Sequence, residues 1–199
     1  MGRTKTYDRD ILIDRAMMLF WQYGYEGTSI AALTDHLGVN KFGLYAEFGS
    51  KQDLYLAALQ RYADTVVSKH FGRLETANSG LADILAVFDF FATTPEPEPI
   101  RLGCMMCNAA TERATHDMPS AALTEGFVKR LIAAHENALG NAARAGQLRP
   151  DTDVAGQAAL LVSQLLGIFV MRRAMPDPTL WQRAAEQAQR HVTALGGSV

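Results

Sequence analysis

Between Gly24 and Leu54 the chain reads GYEGTSIAALTDHLGVNKFGLYAEFGSKQDL, two short helical patterns parted by one glycine turn, and few folds accept that spacing. Thr28 and Ser29 are capping residues, and Ile30, Leu33 and Leu37 follow at helical intervals. Gly38 ends this first pattern, since the position after a helix favours a left-handed backbone that a Cβ makes costly. Asn40 opens a second helix in which Leu44 and Phe48, four apart, share a face and leave Lys41, Phe42, Gly43 and Tyr45 to point elsewhere. Two short helices joined by a tight Leu37-Gly38-Val39 turn make a helix-turn-helix.

What the second helix carries on its free side points to DNA. Asn40 and Lys41 can hydrogen-bond base edges or phosphate, and Phe42 can touch a thymine methyl. Gly43 is costly in a helix interior and makes sense where the backbone must approach another surface, such as a groove wall. At Ser50 and Lys51 a helix cap, the positive end of a helix dipole and an ammonium coincide, which is the chemistry of a phosphate clamp. Thr28 offers a second anchor of the same kind.

The run ILIDRAMMLFWQYGYEGTSI from Ile11, the LGV turn from Leu37, the LYAEF segment from Leu44 and the SKQDL segment from Ser50 together resemble the TetR family of bacterial transcriptional regulators. The resemblance is close over roughly the first quarter of the chain and looser beyond it. It implies that Asn40–Tyr45 enters the major groove and that Thr28, Tyr45 and Lys51 bind backbone phosphate. It also implies a variable helical domain that holds an inducing ligand and the dimer interface. Glu47 departs from the pattern, standing where the family often has an aromatic or histidine near the DNA backbone, and a carboxylate there repels phosphate unless it accepts from a cytosine amine or turns away. Phe42 is bulkier than is usual, so base preference does not transfer from relatives.

The chain's 199 residues, 48% of them apolar, suffice for a substantial core in one or two domains. Its net charge of −2 supplies no broad basic field. Local placement supplies one instead, with Arg3, Lys5 and Arg9 in a tail beside the module and Lys41 and Lys51 on its contact face. No uninterrupted apolar run approaches the ~20 residues of a membrane span, and MGRTKTYDRD lacks the apolar core of a signal peptide, so the expectation is a cytoplasmic protein with no membrane role. No Gly-rich phosphate loop, HExxH or GxSxG occurs, which argues against an enzyme and against a bound cofactor.

Every long segment reads as helix, predicting an all-α chain: a three-helix DNA-binding domain over 1–50 and a helical ligand-binding and dimerisation domain over 51–199. Helices are expected at about Asp8–Tyr23, Lys51–His70, from a Ser79 cap through Phe91, and then at Cys104–Thr115, Ser120–Ala145, Asp153–Ala174 and Pro178–Leu195. PEPEP at Pro95–Pro99 reads as a stiff connector. The AGQAALLVSQLLGIFVM stretch is apolar on most of its circumference, which suits a homodimer interface in the last two helices, with Leu165 and Ile168 as its test positions. A dimer implies a palindromic operator on double-stranded DNA. Phe88, Phe91, Met105, Met106, Phe127, Leu131, His135, Leu161, Gln164, Leu165, Phe169 and Trp181 have the composition of a pocket for a small apolar effector, with His135 and Gln164 as its polar points, and equally that of a plain core.

Cys104 and Cys107 form a C-x-x-C at a helix start, an arrangement that lowers a thiol pKa, although cytosolic cysteine is also often a small buried hydrophobe. A structural zinc lacks further spaced ligands, and a thioredoxin-like site lacks its strand. The expected function is a homodimeric, ligand-responsive repressor. The alternatives are a thiol-based sensor of oxidants or electrophiles on the same scaffold and a helical binding module without a DNA role.

Overall fold

The structure, a computed structural model, describes residues 8–94 and 101–196. The expected connector at Pro95–Pro99 and the basic residues Arg3 and Lys5 lie outside the described residues. Within them the chain is a stack of helices: α1 (Arg9–Tyr23), α2 (Ile30–Leu37), α3 (Lys41–Phe48), α4 (Lys51–Tyr62), α5 (Ser68–Phe71), α6 (Leu81–Thr93), α7 (Met105–Glu112), α8 (Met118–Arg144), α9 (Val154–Ala174) and α10 (Thr179–Leu195).

Polar caps set most of the boundaries. Asp8, Ser29, Asn40, Ser50, Asp117 and Asp153 each accept from a backbone N–H in the first turn of α1, α2, α3, α4, α8 and α9. Gly38 closes α2 in the left-handed region, at φ 71°. Two boundaries differ from the sequence reading. Ser79 does not cap α6. It is buried, its hydroxyl donates toward the carbonyls of Leu74 and Thr76, and Gly80 precedes the helix while Asp83 accepts from its N–H. Pro119 does not break the chain but sits in the first turn of α8, where its missing N–H has no intrahelical partner to lose. The helix expected over Lys51–His70 is continuous in path, yet between α4 and α5 it widens into a π turn at Ala63–Val67.

The amino-terminal three helices pack around Leu12, Ala16, Phe20, Leu33, Leu37, Leu44 and Phe48, all buried. Arg15 on α1 closes the carboxyl end of α2 by donating to the carbonyls of His36 and Leu37. Arg61 on α4 pairs with Asp14 at 2.9 Å and Asp10 at 3.4 Å on α1. α4 therefore carries the first three helices onto the rest: it packs on α7 and α8, and α8, α9, α10 and α6 pack on one another beyond. Leu165 and Ile168, expected to report on a dimer face, belong to the core of the single chain. The uncovered side of α9 is instead Gly156, Ala159, Leu160, Ser163, Gly167 and Val170, none of them charged.

Two imidazoles, His135 buried and His70 half-buried, set an acid limit on stability. Burial lowers His135 below the ordinary histidine value, partly offset by its bond to the Leu131 carbonyl. Burial also lowers His70, with Lys69 and Arg172 adding to it. The unfolded chain thus takes up these protons first, and stability present above the ordinary histidine range of about pH 6.5 is lost as pH falls through it. The melting temperature is expected to drop between about pH 7 and about pH 5.5, and to drop less in His135→Met, measured by thermal denaturation at fixed ionic strength. An unchanged slope in that variant would remove His135 from the account.

Candidate nucleic-acid interface and effector cavity

α3 is held from beneath by Leu44 and Phe48 and is bare on its other side. Asn40, Lys41, Phe42 and Tyr45 are exposed, Phe42 at 83%, a degree of exposure that no packing need explains for a phenyl ring. The Asn40 side chain accepts from the Gly43 N–H at 2.7 Å, and the Lys41 ammonium lies 5.9 Å from the centre of the Tyr45 ring. Glu47 does turn away from this face: its side chain is 5% exposed and pairs with Arg9 at 3.4 Å, while the Arg9 guanidinium covers the Phe48 ring.

Two expected phosphate contacts are placed differently. Thr28 is 1% exposed, and its hydroxyl donates to the Gly24 carbonyl at 2.6 Å, closing the turn from within. The neighbouring Ser29 is the exposed cap of α2. The sequence Gly27-Thr28-Ser29 reads as two caps, and only Ser29 accepts from an N–H of the first turn, that of Ala32. Lys51 stands in the first turn of α4, but its ammonium is 4.0 Å from the centre of the Tyr25 ring and half-buried. Burial lowers its pKa, Glu26 and Glu112 oppose that, and Arg113 adds to it.

Behind the reading helices lies a cavity of about 370 Å³. Of the expected lining residues, Phe91, Phe127 and Phe169 face it. Phe88, Met105, Leu131, His135 and Leu161 are packed in solid core, each at most 1% exposed, Met106 is as buried but faces a separate, smaller cavity, Leu165 and Trp181 are buried in the core, and Gln164 lies half-buried on α9 away from the opening. The same apolar residue types fill a core and line a void, so composition alone could not separate the two groups. Polar groups of the wall come from Trp21, Tyr62, His70, Thr94, Cys104 and Arg172. Arg172 donates to the carbonyls of Phe91 and Thr94 and lies over the Trp181 ring at 4.5 Å. One signal missed in the sequence was the stripe Tyr62, Val66, His70 at intervals of four, which continues the inner face of α4 into the wall.

The two cysteines differ. Cys104 is buried at the amino end of α7 and reaches the cavity, whereas Cys107 is half-buried one turn on. Burial opposes ionisation of Cys104, but the Cys107 thiol, the N–H groups of Cys107 and Met106 and the Tyr62 hydroxyl outweigh it and hold that thiol below its ordinary value. Cys107 is pushed far up because its S–H is held by the Cys104 sulfur and because it is buried.

The profile of the bacterial regulatory proteins of the tetR family matches residues 12–58, and that of the tetracyclin repressor-like C-terminal domain matches residues 80–188. An uncharacterized HTH-type transcriptional regulator of Bacillus subtilis, YezE, is 32% identical over 179 residues, 89% of this chain and 92% of its own. The HTH-type transcriptional repressor ComR of Escherichia coli is 42% identical over 115 residues, 55% of this chain and 53% of its own length. A cysteine mutant of the TetR family transcriptional regulator CifR, solved with a 26-base-pair double-strand operator DNA, superimposes with a TM-score of 0.81 at 26% identity over 94% of this chain and 98% of that one.

Proposed function

Because the chain belongs to the TetR family of bacterial regulatory proteins, and so is a helix-turn-helix transcriptional regulator and not an enzyme, we propose that it acts as a homodimeric repressor in the cytoplasm. A head of residues 1–50 binds a palindromic operator, and a domain of residues 51–199 pairs with its copy and releases DNA when a small apolar effector fills the cavity. The observation that carries the DNA reading is the outer side of α3, where Asn40, Lys41, Phe42 and Tyr45 are surface residues with no core duty, Phe42 the most exposed large apolar side chain among the described residues. ComR, to which half of the chain is similar, is itself a repressor. The uncharged open side of α9 supports the dimer, since an apolar face of that length is seldom left in water.

Electrophoretic mobility shift with the DNA upstream of the chain's own gene tests this. Lys51→Ala is expected to weaken binding to all sequences and to flatten the salt dependence by about one unit of slope, whereas Lys41→Ala also relaxes base preference. Unchanged affinity in the double variant would remove both residues from the interface.

Cys104 favours a second reading, a thiol-based sensor, because its depressed pKa and its place on the cavity wall coincide. Cys104 should then alkylate faster than a free thiol at neutral pH, with loss of DNA binding. A Cys104→Ser, Cys107→Ser protein that still lets go of DNA on treatment with oxidant would eliminate this reading.

A further inference from the structure

The cavity is not confined to the effector domain. Met18 and Trp21 of α1, a helix of the DNA-binding head, form part of its wall. The Trp21 ring stands edge-on to Tyr62 at 4.9 Å, and its indole N–H donates to the Gly103 carbonyl at 3.2 Å. Arg173 on α9 donates to the carbonyls of both Trp21 and Leu102, binding the same two segments from behind.

The other end of α7 holds the head a second time. The Glu112 carboxylate accepts from the backbone N–H of Tyr25 at 3.0 Å and of Glu26 at 2.8 Å. Arg113 pairs with Glu26 at 2.8 Å and lies 4.2 Å from the centre of the Tyr25 ring, the same ring that the Lys51 ammonium approaches to 4.0 Å. Gly24 makes room for the carboxylate, since a Cβ there would stand 2.7 Å from a Glu112 oxygen.

We infer that α7 is a bar clasped to the head at both ends, at Trp21 through Gly103 and at Tyr25–Glu26 through Glu112, and that the effector acts by taking the Trp21 N–H. This rests on the effector reading of the cavity and names how that site controls the head. Indole N–H is a donor only, so the group that competes for it is a hydrogen-bond acceptor. In a cavity walled by phenylalanines that acceptor belongs to a neutral, flat, largely apolar molecule such as an aromatic ketone. The Gly103 side cannot yield. A Cβ at Gly103, whose φ is +61°, would meet the Phe169 carbonyl at 2.8 Å, so this segment is seated hard on α9. Displacement therefore falls on α1, and with it on the reading helices. The clasped and unclasped arrangements are the two states whose balance an effector shifts by binding one better than the other.

The test uses prodan, a neutral naphthyl ketone, and the full-length protein carrying Trp181→Phe, which leaves Trp21 the sole tryptophan. Prodan is expected to quench Trp21 emission by energy transfer and to lower affinity for the upstream DNA about tenfold. Trp21→Phe, which keeps an aromatic ring, though a smaller one, but not the N–H, should lose the preference for prodan over dimethylaminonaphthalene, which lacks the ketone. Glu112→Gln should bind prodan as the parent does and bind DNA without it within about threefold, yet show less than about a threefold effect of prodan on DNA. If prodan binds and releases DNA equally from the parent, Trp21→Phe and Glu112→Gln, the clasp is wrong and the effector cavity stands. If prodan neither quenches Trp21 nor alters DNA affinity, the effector reading fails and the inference falls with it.

Discussion

Val170→Asp should sediment as a monomer at about 10 μM, where the parent sediments as a dimer, and should lose about a hundredfold in operator affinity. Val170 is 54% exposed on the single chain, toward the carboxyl end of the uncharged side of α9, so a carboxylate there meets water in the monomer and is stripped of it only in the proposed dimer. Melting of the isolated chain should therefore hardly change. Leu165 and Ile168 behave differently, because both lie inside the single chain and a charge at either unfolds it before any question of pairing arises. Sedimentation of the parent as a monomer on and off DNA would overturn the interface, and so would a Val170→Asp protein that remains dimeric with full affinity.

Phe20→Ala should cost about 3–5 kcal/mol and lower the melting temperature by about 10 °C, the largest stability loss expected from a single truncation in the head. Phe20 is 2% exposed, edge-on to Tyr55 of α4 at 5.0 Å and stacked beside Tyr25 at 6.3 Å, so its removal opens a hole where α1 meets the helix that carries the head. Phe42→Ala deletes the same ring from a site 83% exposed and should leave the melting temperature within about 1 °C while weakening operator binding. Differential scanning calorimetry on the pair decides the matter: equal losses would mean that the two phenyl rings are not divided between core and groove as described.

The helix-turn-helix was legible because its signals are local. A cap, a glycine stop, a second cap and two apolar residues four apart leave a chain little choice, and they appear at Ser29, Gly38, Asn40 and Leu44 with Phe48. Thr28 shows the limit of such reading, since adjacent hydroxyls are both good caps on paper and only the path of the preceding turn decides which one faces inward. The cavity was legible only in part for a different reason. Phe91, Phe127 and Phe169 face it and Phe88 does not, a distinction made by how α6, α8 and α9 are rotated against α4 and not by residue type. Trp21 and Glu112 were invisible for a third reason. Trp21 is 82 residues from Gly103, and Glu112 is 87 from Tyr25, so nothing in the neighbourhood of either announces its partner.

The π turn at Ala63–Val67 has a consequence for how such a chain can change over generations. A π turn is one extra residue wound into an α-helix and taken up by a wider turn, so the helix after it returns to the face it would have had without that residue. Tyr62 before the turn and Val67 and Phe71 after it accordingly stand on the wall of one cavity. The part before it, α4, carries the buried Leu54, Tyr55, Ala58 and Leu59 beneath the head, and the part after it presents His70 and Phe71 to the cavity. Loss of one codon in this stretch would restore a regular helix and leave both the reading head on its seat and Phe71 on the cavity wall, whereas the same loss within α4 itself would turn one of the two away. A lineage can thus change the length of its connecting helix by one residue at a point that neither DNA recognition nor the effector cavity feels.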